Sequence, residues 1–244
     1  IIEHRKEGKY HSIFDLVKRI DLRAANKKAM ENLVLAGGFD SFGETHRAQY
    51  FNPDGEGITF LEKVIRFGAK YQEHLNSAQV SLFGEATDQT YQDLTIPLCE
   101  PWNNLIRLKK EKEVVGIYIS SHPLDDFTHE MEYFVNISLN RLGDLDHLVN
   151  RELSLGGIVN DVEHLESRNG KGWARFTVED FTDQYEFRIF GEDYLKYRHF
   201  LVVNQFIRIR MMIRQGWTNK ETGKVGAPRM QYLSFEMLQN TIEN

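Results

Sequence analysis

One cysteine in 244 residues leaves no partner for an internal disulfide and no basis for a cysteine-rich metal site. Cys99 is therefore read as a small apolar packing residue. No apolar run approaches the roughly 18 residues that a membrane-crossing helix needs, and residues 1–10 are polar and of mixed charge, unlike a secretory leader. A soluble, cytoplasmic chain without a membrane partner is expected. Basic excess is missing too: 30 lysines and arginines face 36 acidic residues, and a net charge of −6 argues against simple electrostatic capture of nucleic acid. The nine histidines are dispersed, with no His-x-x-His pair, zinc-type spacing or nucleophile elbow. Asp125–Asp126, Asp144/Asp146 and Glu179–Asp180 are carboxylate pairs of the kind that ordinarily mark helix starts and loop ends. Asn169–Gly170–Lys171–Gly172 joins two strands instead of opening a helix, so it is not a phosphate-cradling loop. The sequence thus offers no catalytic constellation, no metal site and no cofactor site.

What is present is enough for two folded units at about 150 residues per domain: 41% hydrophobic and 12% aromatic residues, at a mean hydropathy of −0.48. The charge is unevenly spread. Residues 1–40 carry +2, residues 41–150 carry −8, residues 151–230 carry +2 and residues 231–244 carry −2. Acidity therefore belongs to the middle, and either flank can present a locally positive face.

Periodicity divides the chain further. Ile13, Phe14, Leu16, Val17 and Ile20 recur at helical spacing, and Asn26 is placed to cap a second helix carrying Met30, Leu33 and Val34 before Gly37–Gly38. Phe51–Gly57 is turn chemistry, after which Ile58, Leu61, Val64 and Ile65 open a helix running toward Leu75. Residues 76–100 lose periodicity and read as an exposed segment. A helix is expected to resume at Pro101, the first helical position that proline favours, with Lys109–Glu113 as a solvated face and Ser120–Pro123 as a stop. From about Leu153 the period becomes two. Segments 153–163, 173–179, 184–190, 205–214 and 230–238 read as strands, with a short helix, Glu192 to His199, before the fourth. Five strands with a helix between the third and fourth is the order of an OB-fold barrel. The expected class is α+β and multi-domain: an all-α helical unit over 1–75, an exposed segment over 76–100, linker helices over 101–150 and an OB-fold over 151–244.

Alternation assigns the strand faces. Ala174, Phe176 and Val178, with Tyr185, Phe187 and Ile189 and with Ile207, Ile209, Met211 and Ile213, line the barrel. The opposite positions gather Trp173, Arg175, Arg188, Arg208 and Arg210 on one outer surface, flanked by loops holding Arg168, Lys171 and Trp217. Rings for stacking beside arginines for phosphates are what single-stranded nucleic acid requires, although Glu163, Glu186 and Glu192 dilute the charge.

The linear motifs resemble a known family in order. Asp21-Leu-Arg-Ala-Ala-Asn-Lys-Lys28 with Leu33–Asp40 looks like the second half of the tandem helix-hairpin-helix of bacterial DNA polymerase III alpha subunits. Gln79-Val80-Ser81-Leu82-Phe83-Gly84 resembles the family's internal clamp-binding motif, Glu111–Leu124 its linker, and Ala174–Phe190 its OB strands. The resemblance implies a non-catalytic piece of a replicative DNA polymerase, with the sliding clamp, single-stranded template, duplex DNA and other replicase subunits as partners. Magnesium belongs to the parent polymerase only, whose palm carboxylates have no counterpart here. Lys27 and Lys28 at the start of the second helix are the duplex-phosphate candidates, though the turn Ile20–Ala25 lacks the glycines of the family's first hairpin. Leu82 and Phe83 would seat as neighbouring apolar anchors, with the Gln79 amide at the pocket mouth. The competing readings are a stand-alone OB single-strand-binding protein with a helical segment, and an OB-bearing piece of a tRNA ligase, which lacks any adenylate-forming motif here.

Overall fold

Asn26 does cap a helix: its side-chain oxygen accepts the Ala29 N–H at 3.0 Å. Ser12 caps the preceding helix in the same way, through the Asp15 N–H at 3.1 Å. The computed structural model describes residues 1–43, 45–78, 94–218 and 224–240, and the chain divides into two units, Ile1–Ser121 and His122–Asn244. The boundary falls inside the 101–150 stretch expected to form one linker.

The described residues of the first unit form α1 (Ile2–Arg5), α2 (Ile13–Arg19), α3 (Lys27–Leu35), α4 (Arg47–Phe51), α5 (Phe60–Ala78) and α6 (Asn104–Val115). Leu16, Val17, Ile20, Met30, Val34, Tyr50, Leu61 and Val64 are buried in one cluster, as the helical spacing requires. Each contributes about 1.5–3 kcal/mol of burial. Helix α5 crosses α2 at Gly68, where a Cβ would stand 2.8 Å from the Val17 carbonyl oxygen. One turn later the Gln72 amide donates to the Val17 and Ile20 carbonyls, both at 2.8 Å, and satisfies the orphan end of α2.

Helix α6 ends at Val115 before Gly116, as its sequence suggests, but departs from expectation at its start and on its charged face. Pro101 lies outside it, and Asn103 is the cap, accepting from the Ile106 N–H at 2.8 Å. Lys109–Glu113 is not a uniformly solvated face, because Glu111 is fully buried. The reason is a partner remote in sequence, Arg47, together with the backbone of residues 119 and 120.

The second unit opens with α7 (Thr128–Phe134), followed by β1 (Glu152–Glu166), β2 (Gly172–Glu179), β3 (Gln184–Phe190), α8 (Gly191–Tyr197), β4 (Phe206–Arg214) and β5 (Arg229–Met237). All pairings are antiparallel, in the order β3-β2-β1-β4-β5. Long β1 pairs with β4 through residues 152–158 and with β2 through residues 158–166, with a register shift between Val159 and Asp161. This irregularity bends the sheet toward closure. The remaining opening, between β3 and β5, is bridged by the Tyr232 hydroxyl donating to the Arg188 carbonyl at 3.0 Å. The order and the helix between β3 and β4 are those expected of a five-stranded, partly open barrel. Phe176, Val178, Phe187, Ile189, Ile207, Ile209, Met211 and Ile213 fill its interior, the faces that alternation assigned.

The carboxylate pair Glu179–Asp180 is structural. Asp180 is 4% exposed, and its oxygens accept the N–H groups of Leu139, Thr182 and Asp183. Among the described residues no group of three His, Cys, Asp or Glu is placed to hold a metal ion, and no helix is long and apolar enough to cross a membrane.

Candidate nucleic-acid interface

Strand register arranges the outer face of β1, β2 and β3 in three rows. Leu165, Trp173 and Phe190 are laterally opposed in the first, Glu163, Arg175 and Arg188 in the second, and Asp161, Thr177 and Glu186 in the third. Neighbouring strands stand about 4.8 Å apart and same-face residues about 6.8 Å along a strand, so each row touches the next. Trp173 stacks on Phe190 with centroids 5.2 Å apart and planes at 18°. Phe190 is 57% exposed and Leu165 37% exposed, so the first row is an open apolar ledge. The β1–β2 turn rises beside it and carries Arg168 and Lys171, both exposed. That turn is closed by the Ser167 N–H to the Lys171 carbonyl, 2.9 Å, and the Lys171 N–H to the Ser167 hydroxyl, 3.1 Å, with Gly170 at φ +71°.

Glu163, Arg175 and Arg188 of the second row form one chain of ion pairs with Glu186 of the third. Glu163 accepts from Arg175 at 2.6 Å. Arg175 meets one oxygen of Glu186 at 3.7 Å, and Arg188 donates to the other at 2.9 Å. The Glu163 carboxylate raises the Arg175 guanidinium above its ordinary value. Both arginines read from the sequence are thus on the surface, but neither charge is free.

Arg208 and Arg210 do not join this patch. Helix α7 packs on the outer face where β1 pairs with β4, and Gly156 makes room for it: a Cβ there would meet the Met131 sulfur at 2.6 Å. Arg208 lies beneath, 13% exposed, paired with Glu236 at 2.9 Å and with its guanidinium 5.4 Å from the Phe134 ring centre. Arg210 Nε donates to Glu152 at 3.0 Å. The single outer surface read from alternation is therefore divided, because α7 packs on it over Gly156 and Arg208.

Trp217 is 77% exposed in the β4–β5 connection, with the Arg229 guanidinium over its ring at 4.6 Å. In the first unit Lys27 is bonded to Glu62 and lies 3.8 Å from Glu31, and the Glu62 hydrogen bond raises its pKa. Lys28 is exposed. Gln79, Val80, Ser81, Leu82 and Phe83 lie outside the described residues. Their flanks are held: α5 precedes them, and on the far side the Gln49 amide donates to the Pro97 carbonyl at 2.8 Å and His46 Nε2 donates to the Cys99 carbonyl at 3.1 Å. Trp102 stacks on Phe51 at 5.6 Å. Leu165 was not among the sequence candidates, since its place in the apolar row depends on the β1–β2 register.

Residues 1–50 match the family model of the helix-hairpin-helix motif. DNA polymerase III subunit alpha of Borreliella burgdorferi is 31% identical over 86% of the chain and 18% of its own length, and that of Vibrio cholerae is 24% identical over 100% of the chain and 21% of its own. The chain spans about a fifth of the length of these relatives. A small single-stranded DNA-binding protein from Streptomyces coelicolor is 12% identical over 36% of the chain and 94% of its own, at a TM-score of 0.19, too low for the two folds to be equated. Over most of its residues the chain is therefore similar to bacterial DNA polymerase III alpha subunits, and over its first 50 residues to the helix-hairpin-helix motif.

Proposed function

We propose that this chain is the DNA- and clamp-engaging region of a replicative DNA polymerase, acting by positioning and not by chemistry. The ledge of Leu165, Trp173 and Phe190 beside Arg175 and Arg188 carries the nucleic-acid part of this reading. OB barrels use the face of strands two and three, with the β1–β2 and β4–β5 connections, to hold oligonucleotides. Here that face offers a pair of stacked rings for bases, while Arg168, Lys171 and Trp217 belong to those two connections. Stacking contributes about 1–3 kcal/mol per base and tolerates any sequence, which suits a template that changes at every step.

The clamp contact is supported by the sequence Gln79–Phe83 and by the anchoring of both flanking segments in the first unit. A short peptide held at both ends loses less conformational entropy on docking than a free tail. Tethering to a clamp would keep the barrel near template, so a weakly binding face sees a high effective concentration of single strand. Fluorescence anisotropy of a labelled oligothymidine, titrated with the 244-residue chain and its Trp173→Ala variant, tests the barrel reading. An unchanged affinity in the variant would remove the ledge from the interface.

A further inference from the structure

We propose that Glu163 and Glu186 set the strength and salt dependence of strand binding by occupying Arg175 and Arg188 in the free protein. The proposal rests on the strand-binding reading above. It follows from the chain Glu163–Arg175–Glu186–Arg188, in which one oxygen of Glu186 serves each arginine and Glu163 takes the remaining side of Arg175. Two positive and two negative charges make this chain of ion pairs electrically neutral, and Asp161 in the third row adds a further negative charge beside it. Direct lateral register between Glu163, Arg175 and Arg188 makes this pairing a consequence of the strand ladder, and the four side chains are between 40% and 61% exposed.

The thermodynamic consequence is specific. A cation that neutralises a phosphate normally releases a condensed counterion, giving a salt slope of about −0.7 per contact on single strands. An arginine taken from a carboxylate leaves that carboxylate bare, and the carboxylate gathers a cation in turn. Release and uptake then offset each other. Binding on this face is therefore carried by the rings and varies little with salt, while the carboxylates repel a phosphate backbone that is not also stacked. Duplex DNA, which offers phosphates but no free base faces, is disfavoured by the same row.

The experiment measures oligothymidine affinity by fluorescence anisotropy across a sodium chloride series for the full chain, for Glu163→Gln/Glu186→Gln, for each single replacement, and for Glu152→Gln. Glu152 pairs with Arg210 outside the ledge and serves as the control. The double variant is expected to bind about three- to tenfold tighter at low salt, as loss of three exposed ion pairs permits. Its slope should steepen by about 1.4, two contacts' worth. The single replacements, which alter one exposed side chain each, should fall between, and Glu152→Gln should match the parent. Equal affinity and slope in parent and double variant would overturn the proposal while leaving strand binding intact. Binding by the double variant alone would support it. Absence of binding by every protein would overturn both the proposal and the strand-binding reading.

Discussion

Arg47 and Glu111, 64 positions apart, meet as an ion pair of 3.2 Å in which neither side chain is more than 7% exposed. Arg47 also spans Asp40 through Nε and Nη2 and donates to the Leu35 carbonyl, while Glu111 accepts from the N–H and hydroxyl of Ser120. The pair thereby joins the end of α3, the start of α4, α6 and the segment after α6. Every polar group has a partner, which is the condition under which a buried pair is tolerated.

Removing one partner leaves the other charge buried. Arg47→Ala should lower the stability of the first unit by about 3–5 kcal/mol. Urea unfolding followed by circular dichroism is expected to show the first-unit transition at lower denaturant, with the barrel transition unmoved.

The same site sets an acid limit. Burial by itself would raise the Glu111 carboxyl, but the N–H groups of Ser120 and Ile119, the Ser120 hydroxyl and Arg47 hold it below its ordinary value. A folded value below the unfolded one means that the stabilisation is fully present above the ordinary value of about 4.3 and is lost as pH falls through the folded value. Glu111→Gln should lower stability at neutral pH and flatten its decline in acid. An acid unfolding curve parallel to the parent's would mean that another carboxylate governs it.

Gly157 lies where β1 passes from β4 to β2, and a Cβ there would stand 2.4 Å from the Glu179 carbonyl oxygen. Backbone cannot swing aside as a side chain can. Gly157→Ala should cost the barrel about 1–3 kcal/mol or more. Gly55, where a Cβ meets nothing within 4 Å, is the matched control, and equal melting of the two variants would refute the close approach.

The strands were legible because half-buried strands alternate: segments read at 173–179 and 184–190 are observed at Gly172–Glu179 and Gln184–Phe190. The cap at Asn26 was legible because it acts within three residues. What local pattern cannot carry is a contact set by tertiary packing. Glu111 reads as one more charge in Lys109–Glu113 until Arg47 is brought beside it, and Arg208 reads as an outward strand residue until α7 covers it. Arg175 and Arg188 were placed on the right face, but their pairing with Glu163 and Glu186 depends on the register between strands.

Clamp binding should rest on Leu82 and Phe83. Truncating buried anchors at an interface commonly costs about 2 kcal/mol or more apiece. Isothermal calorimetry of Leu82→Ala/Phe83→Ala with the cognate sliding clamp is expected to show most of the affinity gone. Retention of parent affinity would end the tether reading for this segment.

The divided outer face makes the last prediction, which separates two arginine pairs that alternation alone treats as equivalent. Arg208 is 13% exposed and paired with Glu236, with the ring of Phe134 against its guanidinium, so a nucleic-acid phosphate has no approach to it. Its removal exposes Glu236 and strips packing from α7, and the expected effect is on folding: Arg208→Ala should lower the barrel's melting temperature while leaving oligothymidine affinity within error of the parent. Arg175→Ala/Arg188→Ala should do the reverse. Both side chains are at least 40% exposed, so little stability depends on them, but the ledge loses the only cations in its lateral rows. The loss in affinity should be modest at low salt, because Glu163 and Glu186 already restrain these cations, and Trp173→Ala should cost more than the arginine pair. Anisotropy and thermal melting on the same three variants decide the matter: an affinity loss confined to Arg208→Ala would place the strand under α7, against the burial of Arg208 and its pairing with Glu236.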